Sequence, residues 1–190
     1  MAVSAHTMQQ YKNQIGAGMK LSLQPLDDRF SRYLATLNDL HDHGCVDIAA
    51  QVATAMRKLL AESGWLPAEY CESDENCYRR HLLYTDPTGR FTVLALVWRP
   101  GQGTPVHGHT AWGAVGVYAG HPSVATYRND DGSGAVANGE FGCCPGEVSY
   151  VQAGAAEPHR IFNASDDIAV TIHTYGRDLS EDPASIDILV

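Results

Sequence analysis

Between Leu26 and Leu60 the apolar positions keep a helical rhythm. Phe30, Tyr33, Leu34, Leu37 and Leu40 recur at spacings of three and four, so they fall on one face of a helix, and Gly44 is a suitable stop. A second helix follows, with Asp47 as its cap and Ile48, Val52, Ala55, Met56, Leu59 and Leu60 on its apolar face. Gly64 and Pro67 end it. His41 and His43 lie at the end of the first helix, where positive charge suits the dipole, and are expected at the surface rather than as ligands.

After Pro67 the period changes from helix to strand. Runs rich in Val, Tyr, Thr and Leu cover Tyr78–Tyr84, Phe91–Trp98, Ala111–Tyr118, Ser123–Tyr127, Glu147–Val151, His159–Asn163 and Ile168–Tyr175. Turn chemistry separates them: Asp86-Pro87-Thr88-Gly89, Pro100-Gly101, Asn129-Asp130-Asp131-Gly132 and Pro145-Gly146. Many short antiparallel strands behind two leading helices predict a mainly β fold, a double-sheet roll or barrel with a helical annex. The expected organisation is a mobile arm over residues 1–25 and one domain over 26–190. Within that domain, helices occupy 26–66, a β-roll 78–176 and a tail 177–190.

A chain of 190 residues can bury a real core, removing roughly two-thirds of its unfolded surface from water. The net charge of -9, with only 13 Lys and Arg residues spread along the chain, argues against a nucleic-acid surface. Any anionic ligand must therefore meet local positive charge. No stretch reaches transmembrane length, and Met1 to Lys20 lacks the pattern of a secretion signal, so no membrane partner and a cytoplasmic location are expected. Five cysteines without a CxxC pair do not form an extracellular disulfide framework. The adjacent Cys143 and Cys144 read as small buried or half-buried thiols.

The chemistry concentrates in Gly101-Gln-Gly-Thr-Pro-Val-His107-Gly-His109-Thr-Ala-Trp-Gly113. Residues two apart on a strand share a face, so His107 and His109 can aim two imidazoles at one point. His159, at the start of a later strand, offers a third nitrogen. In Thr171-Ile-His173-Thr-Tyr175 the same alternation brings a hydroxyl, an imidazole and a phenol onto one face, where they can form a hydrogen-bonded row. In Tyr78-Arg79-Arg80-His81 one arginine can point inward while its neighbour packs outward, and its fork matches a carboxylate. His81, on the opposite face from Arg80, is expected to be structural or exposed.

From Tyr78 to Gly176 these residues resemble a known family. Gly101, His107, His109 and Gly120 resemble the first cupin motif, and Gly146, Gly154, His159 and Asn163 a loosened second one, with Gln152 at the usual proline and two extra residues before His159. Most metal cupins carry a Glu four residues after the second His; this chain has Gly113. Three histidines without that carboxylate resemble the cysteine dioxygenase family, and His107-Gly-His109-Thr-Ala-Trp-Gly113 is similar to its bacterial members. The resemblance implies Fe(2+) held by His107, His109 and His159, with a small thiol and O2 as partners. It further implies Thr171, His173 and Tyr175 in the place of the family's Ser-His-Tyr triad, and Arg80 with Tyr78 as the clamp on the substrate carboxylate. Gly113 excludes the Cys–Tyr cross-link of animal-type members. Cysteine is the expected substrate. Mercaptopropionate and mercaptosuccinate are alternatives, the latter if Arg79, Arg160 or Arg177 turns inward. A non-catalytic metal-binding cupin and another metal-dependent cupin enzyme also stay open, as does the oligomeric state.

Overall fold

The computed structural model describes residues 26–130, 134–153, 158–179 and 188–189. The arm over 1–25, Gly154 and most of the tail from 177 onward lie outside them.

Helix α1 (Asp28–Asp42) starts at the N-cap Asp27, which accepts a hydrogen bond from the Arg29 amide at 2.6 Å. The Arg29 side chain, also bound to that carboxylate, holds Asp27 down at about 2. Phe30, Tyr33, Leu34 and Leu37 are buried as their spacing predicts, and Phe30 stacks on Trp65 at 5.5 Å. Helix α2 (Ile48–Leu60) does begin after Asp47, but that side chain makes no cap bond. It accepts instead from Gln152 Nε2, tying the helix to the roll. One 3-10 turn follows at Ala68–Cys71.

The strands are β1 (Arg79–Thr85), β2 (Thr92–Trp98), β3 (His107–Gly108), β4 (Gly113–Ala119), β5 (Ser123–Asp130), β6 (Gly134–Gly142), β7 (Val148–Val151), β8 (His159–Phe162), β9 (Ala169–Tyr175) and β10 (Ile188–Leu189). They form two antiparallel sheets, ordered β1-β2-β9-β4-β7 and β10-β3-β8-β5-β6. The result is a mainly β double-sheet roll of cupin type with an N-terminal helix pair. Strands β2 and β9 are buried at every position because apolar layers cover both faces of their sheet. On the outer face Val93, Ala95, Val97, Ala114, Val170 and Ile172 pack with the helices. On the inner face Leu82, Leu94, Leu96, Trp98 and Tyr175 meet Ile161 of the second sheet.

Strands β6 and β10 were not expected from the sequence, and the strand expected at the histidine pair is shorter than its alternation implies. β6 is Gly-Ala-Val-Ala-Asn-Gly-Glu-Phe-Gly, poor in β-formers, and is held extended by its pairing with β5. β10 has two residues, too short for any alternation to be visible, and β3 covers His107 and Gly108 alone, leaving His109 just beyond it. Two side-chain expectations also change. His41 is half-buried, stacked on Phe91 at 5.4 Å and close to Trp112, because the end of α1 lies on the roll; His43 is exposed as expected. Cys144 is exposed, while Cys143 is half-buried. No helix among the described residues is long and apolar enough to cross a membrane.

Two anchors hold β9 in place. From the outer side, the buried Tyr33 hydroxyl and Thr174 Oγ1 are hydrogen-bonded at 2.7 Å. At the end of the strand, Thr92 Oγ1 donates to the Arg177 carbonyl at 3.0 Å and accepts from the Leu179 amide at 3.1 Å.

Candidate active site

His107 and His159 are direct cross-strand partners on β3 and β8, and His109 follows β3 immediately. One ligand atom from each of the three lies within 4.8 Å of the others. The Nε2 atoms of His109 and His159 approach to 3.2 Å. Two cis ligands about 2.1 Å from one metal ion stand about 3 Å apart, so this spacing is compatible with a shared cation. The tautomer of His107 is also set. Its Nδ1 lies 3.0 Å from the Pro105 carbonyl, which can only accept, so Nδ1 carries the hydrogen and Nε2 keeps its lone pair. Burial first, then the neighbouring histidines, pushes His107 down to about 3, so its imidazole is neutral. A mononuclear metal fits this donor set.

The face-sharing residues of β9 are hydrogen-bonded in a row. Thr171 Oγ1 and His173 Nε2 are 2.8 Å apart, and His173 Nδ1 and the Tyr175 hydroxyl 2.9 Å apart. The Tyr175 ring stands 5.4 Å from that of His109, centroid to centroid, so the phenol end of the row adjoins the histidine cluster. Burial, reinforced by the positive charge of Arg80, holds His173 well below its ordinary value and therefore neutral. Arg80 is buried on the inner face, in register with Leu96 and through it with Thr171. Its guanidinium lies 5.7 Å from the centre of the Tyr78 ring. His81 points the other way, its Nε2 bound to the Glu72 carbonyl at 2.9 Å. It is buried and structural.

With this geometry in place, comparison with known proteins decides the family. The family model described as cysteine dioxygenase type I matches residues 26–181. The chain belongs to the cysteine dioxygenase type I family. Among solved structures, a protein from Thermus thermophilus is 16% identical with a TM-score of 0.46, over 58% of this chain and 92% of that one. A Cupin 2 conserved barrel domain protein from Salinispora arenicola is 21% identical with a TM-score of 0.43, over 65% of this chain and 95% of its own. An uncharacterized conserved protein with a double-stranded beta-helix domain from Klebsiella pneumoniae is 17% identical with a TM-score of 0.45, over 61% and 91%. The family match and the three-histidine site together fit a metal-dependent thiol dioxygenase.

Gly113 explains how this cysteine dioxygenase family member dispenses with the usual cupin carboxylate. Gly113 and Tyr175 are cross-strand partners, and a Cβ at Gly113 would meet the Tyr175 ring at 3.0 and 3.1 Å. The phenol ring fills the space that a longer side chain would need. Three residues escaped the sequence reading. Trp98 donates from Nε1 to Thr171 Oγ1 at 2.9 Å, which extends the row by one member. Trp112, in the loop after the histidine pair, packs so closely on Gly176 that a Cβ there would lie 2.0 Å from its Nε1. Arg57 lines a cavity of about 680 Å³ whose wall also includes His109, His159, Thr171 and Tyr175. Nothing local flags Trp98, whose partner lies diagonally across from β2 on β9, or Arg57, which arrives from α2. Arg80 and Tyr78 do not line this cavity. Among the alternative arginines, Arg79 pairs with Glu72 at 3.6 Å, and Arg160 lies over the Phe162 ring at 4.8 Å.

Proposed function

We propose that this protein is an iron(II)-dependent dioxygenase that converts the thiol of a small mercapto-carboxylic acid, L-cysteine foremost, to a sulfinic acid. The observation that carries the reading is a cluster of three imidazoles with Gly113 and the Tyr175 ring where a carboxylate would otherwise stand. Neutral ligands leave a divalent cation its full charge, which favours an anionic thiolate over a neutral ligand. Iron held by His107, His109 and His159 would supply the activation of dioxygen. The overall change is balanced as RSH + O2 → RSO2H: sulfur gives up four electrons, both oxygen atoms are reduced onto it, and no further reductant is needed.

The chain's own residues orient and polarise. Neutral His173 hydrogen-bonds the Tyr175 hydroxyl, and that phenol beside His109 is the group assigned to position substrate and oxygen. Arg80 is assigned to the substrate carboxylate: it is buried on the inner face with Tyr78 beside it, and its charge is felt at both His107 and His173. Mercaptopropionate and mercaptosuccinate are the alternative acids, and Arg57 rather than Arg79 or Arg160 is the cation in the cavity wall for a second carboxylate. A cytoplasmic setting is the proposed location, on five cysteines in the sequence without a CxxC pair or disulfide framework.

The test is the catalytic efficiency of the iron-loaded protein for cysteine, mercaptopropionate, mercaptosuccinate and cysteamine, in the wild type and in Arg80→Gln. The wild type should use cysteamine poorly, because it lacks the carboxylate. Arg80→Gln should raise the Michaelis constant for cysteine by an amount worth roughly 1.5–3 kcal/mol, the loss of a charge-assisted bond, and affect cysteamine little. Equal losses on all four thiols would assign Arg80 to the fold instead.

A further inference from the structure

We infer that Trp98 is a positioning residue that sets the direction in which hydrogens are ordered along Thr171, His173 and Tyr175, and so turns the Tyr175 hydroxyl hydrogen toward the histidine cluster. The inference rests on the reading of Tyr175 as the group that faces the reacting thiol. It begins from a chemical asymmetry: the indole N–H of Trp98 can only donate. Its acceptor, Thr171 Oγ1 at 2.9 Å, is therefore already receiving one hydrogen bond before His173 is considered.

Two orderings of the row are then open. In the outward one, Thr171 donates to His173 Nε2, Nδ1–H donates to the Tyr175 oxygen, and the phenol's own hydrogen is left for the cavity side. In the inward one, the phenol donates to Nδ1, Nε2–H donates to Thr171, and the threonine oxygen receives two hydrogens while its own has nowhere to go. Among the described residues, Thr171 Oγ1 has Trp98 and His173 as partners and no third. Thr171 borders the cavity but is only 1% exposed, so almost none of its surface is open to water as the missing acceptor. A buried, orphaned hydroxyl hydrogen disfavours the inward ordering on the order of tenfold to a hundredfold. Without the indole N–H this preference shrinks, because the outward ordering then leaves the threonine lone pairs unserved and the two arrangements are left with comparable defects.

Trp98 is also held so that this N–H cannot swing away. It is fully buried, and Tyr78 stacks on it at 4.3 Å with the planes 25° apart. The same Tyr78 ring neighbours the Arg80 guanidinium. One aromatic pair therefore supports the carboxylate-binding candidate on one side and the hydrogen-bonded row on the other.

The experiment is nitrogen-15 NMR of the His173 ring in the full chain loaded with zinc, a diamagnetic ion for the same three imidazoles, compared between the wild type and Trp98→Phe. The expected wild-type result is a protonated Nδ1 and a bare Nε2. In Trp98→Phe, which keeps an aromatic face for Tyr78, the two tautomers should become comparable in population. The iron-loaded variant should then lose kcat on the order of tenfold, with metal content and the Michaelis constant unchanged. A wild-type His173 protonated at Nε2, or a tautomer ratio unmoved by Trp98→Phe, would overturn the inference. If the phenylalanine variant does not fold, benzothienylalanine at position 98 replaces only the N–H by sulfur and makes the same comparison. The tautomer is read without turnover, so an enzyme that proved inactive on thiols would refute the proposed function and leave this result standing.

Discussion

Tyr175 is the residue on which packing and chemistry converge. Its ring fills the place beside Gly113, its hydroxyl takes the end of the Thr171–His173 row, and it adjoins His109. Tyr175→Phe removes one oxygen and leaves the ring, so metal content should be kept while kcat falls on the order of tenfold to a thousandfold, as for loss of one positioned donor. Metal analysis beside steady-state kinetics checks both halves. Unchanged kinetics would make the phenol purely structural. The sequence made much of this site legible, since alternation alone placed Thr171, His173 and Tyr175 on one face. It could not show Trp98 as the fourth member, because that contact crosses from β2 to β9 and depends on a diagonal neighbour.

At the scale of elements, the turn between β1 and β2 is tied to the end of α1 by one arginine. Arg90 donates to Asp86 from Nε at 2.9 Å and from Nη2 at 3.0 Å, and also reaches Asp42 at 2.6 Å and Asn38 at 2.7 Å. Hydrogen bonds from Arg90 and Thr88 hold the buried Asp86 carboxyl far below its ordinary 3.8. Because the folded value is depressed, the stabilisation is present above pH 3.8 and is lost as the pH falls through the lower folded value. Asp86→Asn should therefore cost about 1–3 kcal/mol near neutral pH, seen as a lower denaturation midpoint. The gap from the wild type should close in acid; a gap that stays constant below pH 3.8 would contradict the account. The turn itself was readable from Asp86-Pro87-Thr88-Gly89, and the helices from their apolar spacing. Strand β6 was not, because its small residues take their conformation from β5 and carry no pattern of their own. Asp47 was in the expected place, but its partner Gln152 lies 105 residues away, beyond any local rule.

For the whole molecule, the histidine cluster joins β3 to β8 and the loop after β3, so metal binding should be felt as global stability. A cation that binds only the folded chain stabilises it by about 2.7 kcal/mol at a free concentration one hundred times its Kd. Ferrous iron should accordingly raise Tm under anaerobic conditions, a chelator should reverse the rise, and His159→Ala should abolish most of it. A His159→Ala protein that binds iron as tightly as the wild type would remove that residue from the ligand set. The central claim, that the site oxidises a thiol with dioxygen, is tested most directly by supplying oxygen-18 gas and cysteine to the iron-loaded protein and weighing the product. The account predicts cysteine sulfinate carrying two heavy oxygen atoms, formed with one O2 consumed per product and absent when zinc replaces iron. Oxygen uptake without sulfinate, or sulfinate whose oxygens come from water, would contradict it.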